Sequence, residues 1–152
     1  LREIFYSVEF HEREIFEMFG VYFSMATLLL VALLFGRMLI FSAGFAAFLF
    51  RHLPQQEARM LIRRAFPSFY LFVIISSGLV IALSWGSDPF SSALMAFVMF
   101  TAVAARQLLM AAINHATDMA LRKRFVWLHG LSVVLTLIHI FLAGMILVHL
   151  VQ

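Results

Sequence analysis

Apolar residues run almost unbroken through four stretches of the chain, Val21–Phe50, Pro67–Gly86, Pro89–Ala116 and Phe125–Val151. As a helix, each is long enough to cross a hydrocarbon core of about 30 Å. Within lipid every backbone polar group has to be satisfied inside its own segment, so helices are the expected form of each run. The pattern predicts an all-α protein, a polytopic membrane four-helix bundle. Local signals agree: Pro67 and Pro89 suit the first turns of the second and third spans, and Asp88 is placed to cap the third. The head of the chain differs, because five of the eight acidic residues, Glu3, Glu9, Glu12, Glu14 and Glu17, fall among Ile4, Phe5, Val8, Ile15, Phe16 and Phe19. It reads as an amphipathic helix. Two parts are therefore expected: an N-terminal amphipathic segment over residues 1–19 and a transmembrane domain over residues 20–152.

Composition supports the same class. The chain is 64% hydrophobic and 12% charged, with a mean hydropathy of +1.00, against roughly 25% charged residues in soluble domains. A pI near 10 would point to nucleic acid in a soluble protein. Here the cations sit at span ends, so lipid headgroups are the expected partner and nucleic acid is not. Absence of cysteine excludes disulfides, thiolate metal sites and thiol redox chemistry. The nine methionines read as packing residues first and as soft metal ligands second.

Charge also predicts orientation. Arg51, His52, Arg59, Arg63 and Arg64 lie between the first two spans, and Arg122, Lys123 and Arg124 between the last two. By the positive-inside rule, loops 51–66 and 116–124 belong on the cytoplasmic side, with Arg51, Arg63, Arg64, Arg122, Lys123 and Arg124 as anchors. An even number of spans then leaves both termini outside.

Candidate chemistry is concentrated in the last span. At 100° per residue, His129, Ser132, Thr136, His139 and Ala143 fall within about an 80° arc. Such a polar and small stripe belongs against other helices rather than lipid, either as interhelical glue or as the lining of a pocket. His52, His115 and His129 all fall at the basic side. With His139 they are the candidate metal or haem ligands, and haem or copper the candidate cofactors, because imidazole suits these centres. No His-x-x-x-His spacing supports them. Arg37 and Arg106 lie within spans that hold no acid, where a bare arginine costs several kcal/mol. The expected pocket is lined by Arg106, His129, Ser132, Thr136 and His139, faces the cytoplasm and accepts an anion, a carbonyl-bearing ligand or water. Gly36, Ala43, Ala47, Ser77, Gly78, Ala93, Ala96 and Ala104 are expected to mark close helix contacts.

In order along the chain, Arg51-His52-Leu53-Pro54, Phe66-Pro67-Ser68-Phe69-Tyr70, Ala105-Arg106, Phe125 and His129-Gly130-Leu131-Ser132 resemble the transmembrane protein 205-like family. The resemblance covers about Leu33 to Val151. It implies a four-span membrane protein of unassigned function and carries over no catalytic residue. The family pattern has a proline shortly after the third-span arginine; this chain has Met110, which puts the expected kink in doubt. More distantly the layout is similar to copper-resistance D membrane domains and to small haem-linked protoporphyrinogen oxidases. The head alone, Ser7 to Val21, resembles a signature of a peripheral-arm subunit of respiratory complex I and related hydrogenases. We read that likeness as coincidence; taken as real, it would imply a respiratory assembly.

Three functions follow. The first is a non-enzymatic membrane protein that handles a small solute or metal in a cytoplasm-facing pocket. The second is a haem- or quinone-linked oxidoreductase in which His129 or His139 pairs with His52 or His115. The third is an accessory subunit docked through the acidic head onto a larger membrane complex; a homo-oligomer is the alternative assembly. No nucleophile triad, phosphate-binding glycine loop or intramembrane carboxylate pair is present, so hydrolase and nucleotide chemistry are poor fits.

Overall fold

The computed structural model describes the backbone of residues 2–152 and, except at residues 2–12, 15, 16 and 46, the side chains. The apolar face expected on Ile4, Phe5, Val8, Ile15 and Phe16 therefore lies outside the described side chains. Among the described residues all secondary structure is helical: α1 (Arg2–Leu39), a π segment (Ile40–Phe45), α2 (Ala46–His52), α3 (Gln55–Ser84), α4 (Pro89–Ala104), a second π segment (Ala105–Leu109), α5 (Met110–Asp118) and α6 (Arg122–Val151). Four spans are long and apolar enough to cross a membrane: Glu17–His52, Gln55–Ser84, Pro89–Asp118 and Arg122–Val151. The head and the first span form one helix, with no break at Gly20.

One boundary differs from the sequence expectation. Pro67 opens no helix; it lies inside α3, which already begins at Gln55. The stretch Gln55–Phe66 is built from strong helix formers, with Glu57 in the first turn where the helix dipole favours an acid. The first basic connection thus shrinks to Leu53 and Pro54, and Arg59, Arg63 and Arg64 ride on a helix instead of a loop. Asp88 and Pro89 do start α4: the Asp88 carboxylate accepts the Ser91 N–H at 3.1 Å, and proline occupies the first turn. The last connection is equally short. Ala120 adopts a left-handed φ of 53°, which lets the Leu121 N–H reach back to the Ala116 carbonyl at 2.9 Å and close the end of α5.

The interior is formed by Val31, Leu34 and Met38 of α1, Phe69, Tyr70, Val73 and Val80 of α3, Met95, Val98 and Ala102 of α4, and Ala143 and Ile146 of α6. Lipid is as apolar as this core, so close packing rather than exclusion from water holds it together. Large apolar side chains such as Leu29, Phe100 and Phe141 accordingly stay on the outside. The close approaches are fewer than the small residues suggested. A Cβ on Gly144 would meet the Phe35 ring at 3.4 Å and one on Gly78 the Met99 sulfur at 3.7 Å, whereas Gly36 faces open space. Ala43, Ala47, Ala93 and Ala104 are exposed.

Cross-bundle contacts fix the relative ends. Arg63 of α3 and Asp118 of α5 pair at 2.8 Å where the basic residues gather. At the other end, Asp88 at the start of α4 meets His149 near the end of α6 at 3.4 Å. Both basic turns therefore share one end.

Candidate functional site

A cavity of about 50 Å3 opens at the basic end, lined by Arg63, Phe66, Tyr70, Met110, Ile113, Asn114, His129 and Ser132. Its floor is a buried hydroxyl pair. Tyr70 Oη and Ser132 Oγ lie 3.2 Å apart, the residues being 2% and 5% exposed. Tyr70 is held by the aromatic rings of Phe66 and Phe69, the latter at 5.5 Å between centroids. Two α3 turns thus carry the aromatic wall while α6 supplies the serine. His129 stands at the rim, one turn before Ser132, exposed and stacked nearly parallel on Phe125 at 5.6 Å.

Above this floor, the Arg63 guanidinium donates to both carboxylate oxygens of Asp118, at 2.8 and 3.0 Å. The fork geometry fixes the cation in direction as well as position. Asn114, one turn before Asp118 on α5, adds an amide to the lining. The cavity therefore offers a guanidinium, an amide, an imidazole and two hydroxyls to whatever enters, over apolar walls from Phe66, Met110 and Ile113.

The other α6 stripe residues serve the interior differently. The Thr136 hydroxyl donates to the Ser132 carbonyl at 2.9 Å. His139 is 2% exposed, and its Nε2 lies 2.7 Å from Thr101 Oγ1. That hydroxyl in turn donates to the Phe97 carbonyl at 2.7 Å. The Thr101 proton is thus spent on the backbone, so His139 Nε2 carries a hydrogen and donates to the threonine. A nitrogen so committed ties α6 to α4.

The structure does not gather the candidate ligands. His52 is exposed, its Nδ1–H donating to the Phe48 carbonyl of its own helix at 2.9 Å. His115 is exposed on α5, and His139 is buried at another depth. Among the described residues, no group of three or more His, Cys, Asp or Glu side chains is placed to hold a metal ion. Arg51, Arg64, Arg122, Lys123 and Arg124 are exposed around the basic end, as is Arg63.

Arg106 does not line the cavity. It lies in the second π segment and is exposed on the outside of the bundle. Arg37 is also exposed, with its guanidinium 4.0 Å from the Phe72 ring centroid in a cation–π contact. It borders an open apolar groove of about 500 Å3 along the first π segment, lined also by Gly36, Ile40 and Phe41. Sequence reasoning missed Tyr70 as a lining residue and treated Arg63 as an anchor alone. Their signal was the spacing of Arg63, Phe66 and Tyr70, which places them on one helical face, a cation one turn before the aromatic pair.

No curated protein and no solved structure matches the chain. Residues 29–121, from the middle of the first span to the turn before α6, match the family described as a domain of unknown function, DUF4149, and the chain belongs to that family.

Proposed function

We propose that this is a non-enzymatic four-span membrane protein that binds a small acceptor-bearing solute in the cavity at its basic end. The observation that supports it most is the buried Tyr70–Ser132 hydroxyl pair beneath Arg63, Asn114 and His129. The volume suits a few waters or a group of a few heavy atoms. Donors dominate its lining, and Asp118 is already engaged by Arg63. A carbonyl, carboxylate or phosphate group complements such a lining better than a cation does. A metal-handling role draws less support, since His129 is the single imidazole there. The motifs that resemble the transmembrane protein 205-like family, Phe66–Tyr70 and His129–Ser132, contribute residues to both walls of the cavity.

The same reading places the basic turns in the cytoplasm and both termini outside. Because the chain has no cysteine, single-cysteine variants at Gln55 and Ser87 report this directly. A membrane-impermeant maleimide applied to intact cells should label position 87 and spare position 55; the opposite result reverses the orientation.

The binding test is thermal. Protein purified in mild detergent with native lipid is melted in acetate, phosphate or chloride at equal ionic strength. A bound ligand stabilises by an amount that grows as the logarithm of its concentration over Kd. Acetate or phosphate should raise the midpoint above that in chloride, and Ser132→Val should abolish the difference. Equal midpoints in all salts would overturn the reading.

A second reading, a subunit of a larger membrane complex, draws support from the exposed intramembrane arginines Arg37 and Arg106.

A further inference from the structure

Arg106 and its neighbour Gln107 are strongly polar side chains exposed on the outer surface of a span. By helix rise, Arg106 is about 18 Å from Asp118, the basic end of its span. A 30-residue helix overhangs a core of about 30 Å by only about 8 Å at each end. The guanidinium root thus sits about 10 Å inside the hydrocarbon region, too deep for lipid phosphate to be a ready partner. Among the described residues, the ion pairs are Arg63–Asp118 and Asp88–His149, and neither serves Arg106. Arg37 at least rests on the Phe72 ring; among the described residues Arg106 has no comparable aromatic partner.

The surface around it has the character of a helix interface. Phe100, Ala104, Gln107, Ala111 and His115 recur every three or four residues along the exposed side of α4, the π segment and α5. Small residues allow a helix to approach closely, and Gln107 and His115 can hydrogen-bond across the contact. The π segment, closed by the Met110 N–H on the Ala105 carbonyl, carries Arg106 at the flank of this stripe, next to Gln107. Such bulges concentrate at functional positions.

We propose that this face docks a transmembrane helix of a different protein, carrying a carboxylate at the depth of Arg106. A second copy of this chain does not fit the requirement. Its acids are Glu3, Glu9, Glu12, Glu14, Glu17, Glu57, Asp88 and Asp118, none at mid-span. The partner must bring the charge that this sequence lacks, because an unpaired arginine in the hydrocarbon is costly and a carboxylate at the same depth relieves both ions. The proposal rests on the subunit reading and is independent of the cavity.

The test is a photo-crosslinking amino acid at Ala111, an exposed stripe residue one π turn from Arg106, irradiated in native membranes. The expected adduct joins a different polypeptide whose spanning segment holds Asp or Glu at the adduct's depth. Arg106→Leu should lower its yield by about fivefold or more, the size of a polar interhelical contact in lipid. Arg106→Lys should retain most of it. Purified Arg106→Leu should melt no lower than the wild-type chain, since it replaces an exposed cation by an apolar side chain; a lower midpoint would mean that Arg106 is satisfied within its own bundle and would overturn the proposal. Adducts confined to lipid or to a second copy would overturn the subunit reading as well. An adduct with a polypeptide lacking an intramembrane acid, or one insensitive to Arg106→Leu, would overturn this proposal alone.

Discussion

The two ends of the bundle use similar residues to opposite effect. At the basic end an acid and a base, Asp118 and Arg63, meet in an exposed fork with side chains 56% and 48% exposed, and beneath them a cavity reaches a buried hydroxyl pair. At the other end Asp88 is drawn into the start of α4. Its side chain is 19% exposed; one oxygen accepts from Ser91, and Ser84 and Ser92 bond to each other nearby at 2.8 Å. One end joins helices across an opening, whereas the other seals a turn. Polar content alone therefore does not mark a binding site; what separates the ends is whether the polar groups surround a space or are packed into a helix start.

The comparison breaks most visibly if the floor of the cavity is removed. Tyr70→Ala should cost about 3–5 kcal/mol, as for other large buried aromatic truncations, whereas Tyr70→Phe should cost about 1 kcal/mol, since only the bond to Ser132 is lost. Denaturant titrations in mixed micelles measure both. A Tyr70→Ala effect no larger than that of Tyr70→Phe would mean that the aromatic wall is not packed against α6 as described.

The middle of the bundle offers a directional test. His139 donates to Thr101, which is already satisfied by Phe97. Thr101→Val leaves a buried imidazole N–H without an acceptor and should cost about 1–3 kcal/mol. His139→Leu removes donor and need together, so its cost should be nearer the 0.6 kcal/mol average for interhelical hydrogen bonds in membranes, about half a kcal/mol or so. Reversal of that order by unfolding measurements would assign the opposite donor and acceptor roles.

The extent to which these features were legible in the sequence follows from their range. Span number, the Asp88–Pro89 helix start and the gathering of cations at one end are written in local residue order. Ser132, His139 and Ala143 on one interior face of α6 follow from a regular helix of 3.6 residues per turn. Arg106 was assigned to the pocket on the cost of an intramembrane charge, without a helical phase relative to the other lining residues, and the π segment Ala105–Leu109 makes that phase harder to read from sequence. The helicity of Gln55–Phe66 was hidden by Pro67, which normally opens or breaks a helix but here is accommodated within α3. Tyr70 looked like any apolar aromatic, because its partner Ser132 is set by the register between α3 and α6 and by nothing within α3. The histidines at the basic side share a depth but not a direction, and depth was all that sequence position supplied.

At the sealed end, Asp88→Ala should cost about 1 kcal/mol through loss of the helix cap. Burial opposes the charge on Asp88, yet hydrogen bonds from Ser91 and the neighbouring His149 outweigh it and hold the carboxyl below its ordinary value. Because the folded state favours the charged form, the resulting stability is fully present above the unfolded carboxyl pKa and is lost as pH falls through the lower folded value. The difference in melting midpoint between wild type and Asp88→Asn should therefore persist down to about pH 5 and shrink below about 4. A difference that goes on growing below about pH 4 would contradict the cap.

The smallest stability effect belongs to the ion pair that frames the cavity. Arg63 and Asp118 hold each other at 2.8 Å, but both are open to water, where Coulomb attraction is screened and side-chain ordering offsets much of the gain. Arg63→Gln should move the melting midpoint little, and the movement should fade further as salt is raised. Its consequence for ligand should be larger than its consequence for folding, since the fork aims a cation over the cavity mouth. In the acetate and phosphate melts, Arg63→Gln should weaken ligand stabilisation while leaving the midpoint in chloride almost unchanged, and the exchanged pair Arg63→Asp with Asp118→Arg should restore the ion pair without restoring the ligand response. Equal loss in chloride and in ligand would make the fork a structural clasp like Asp88, and the contrast between the two ends would disappear.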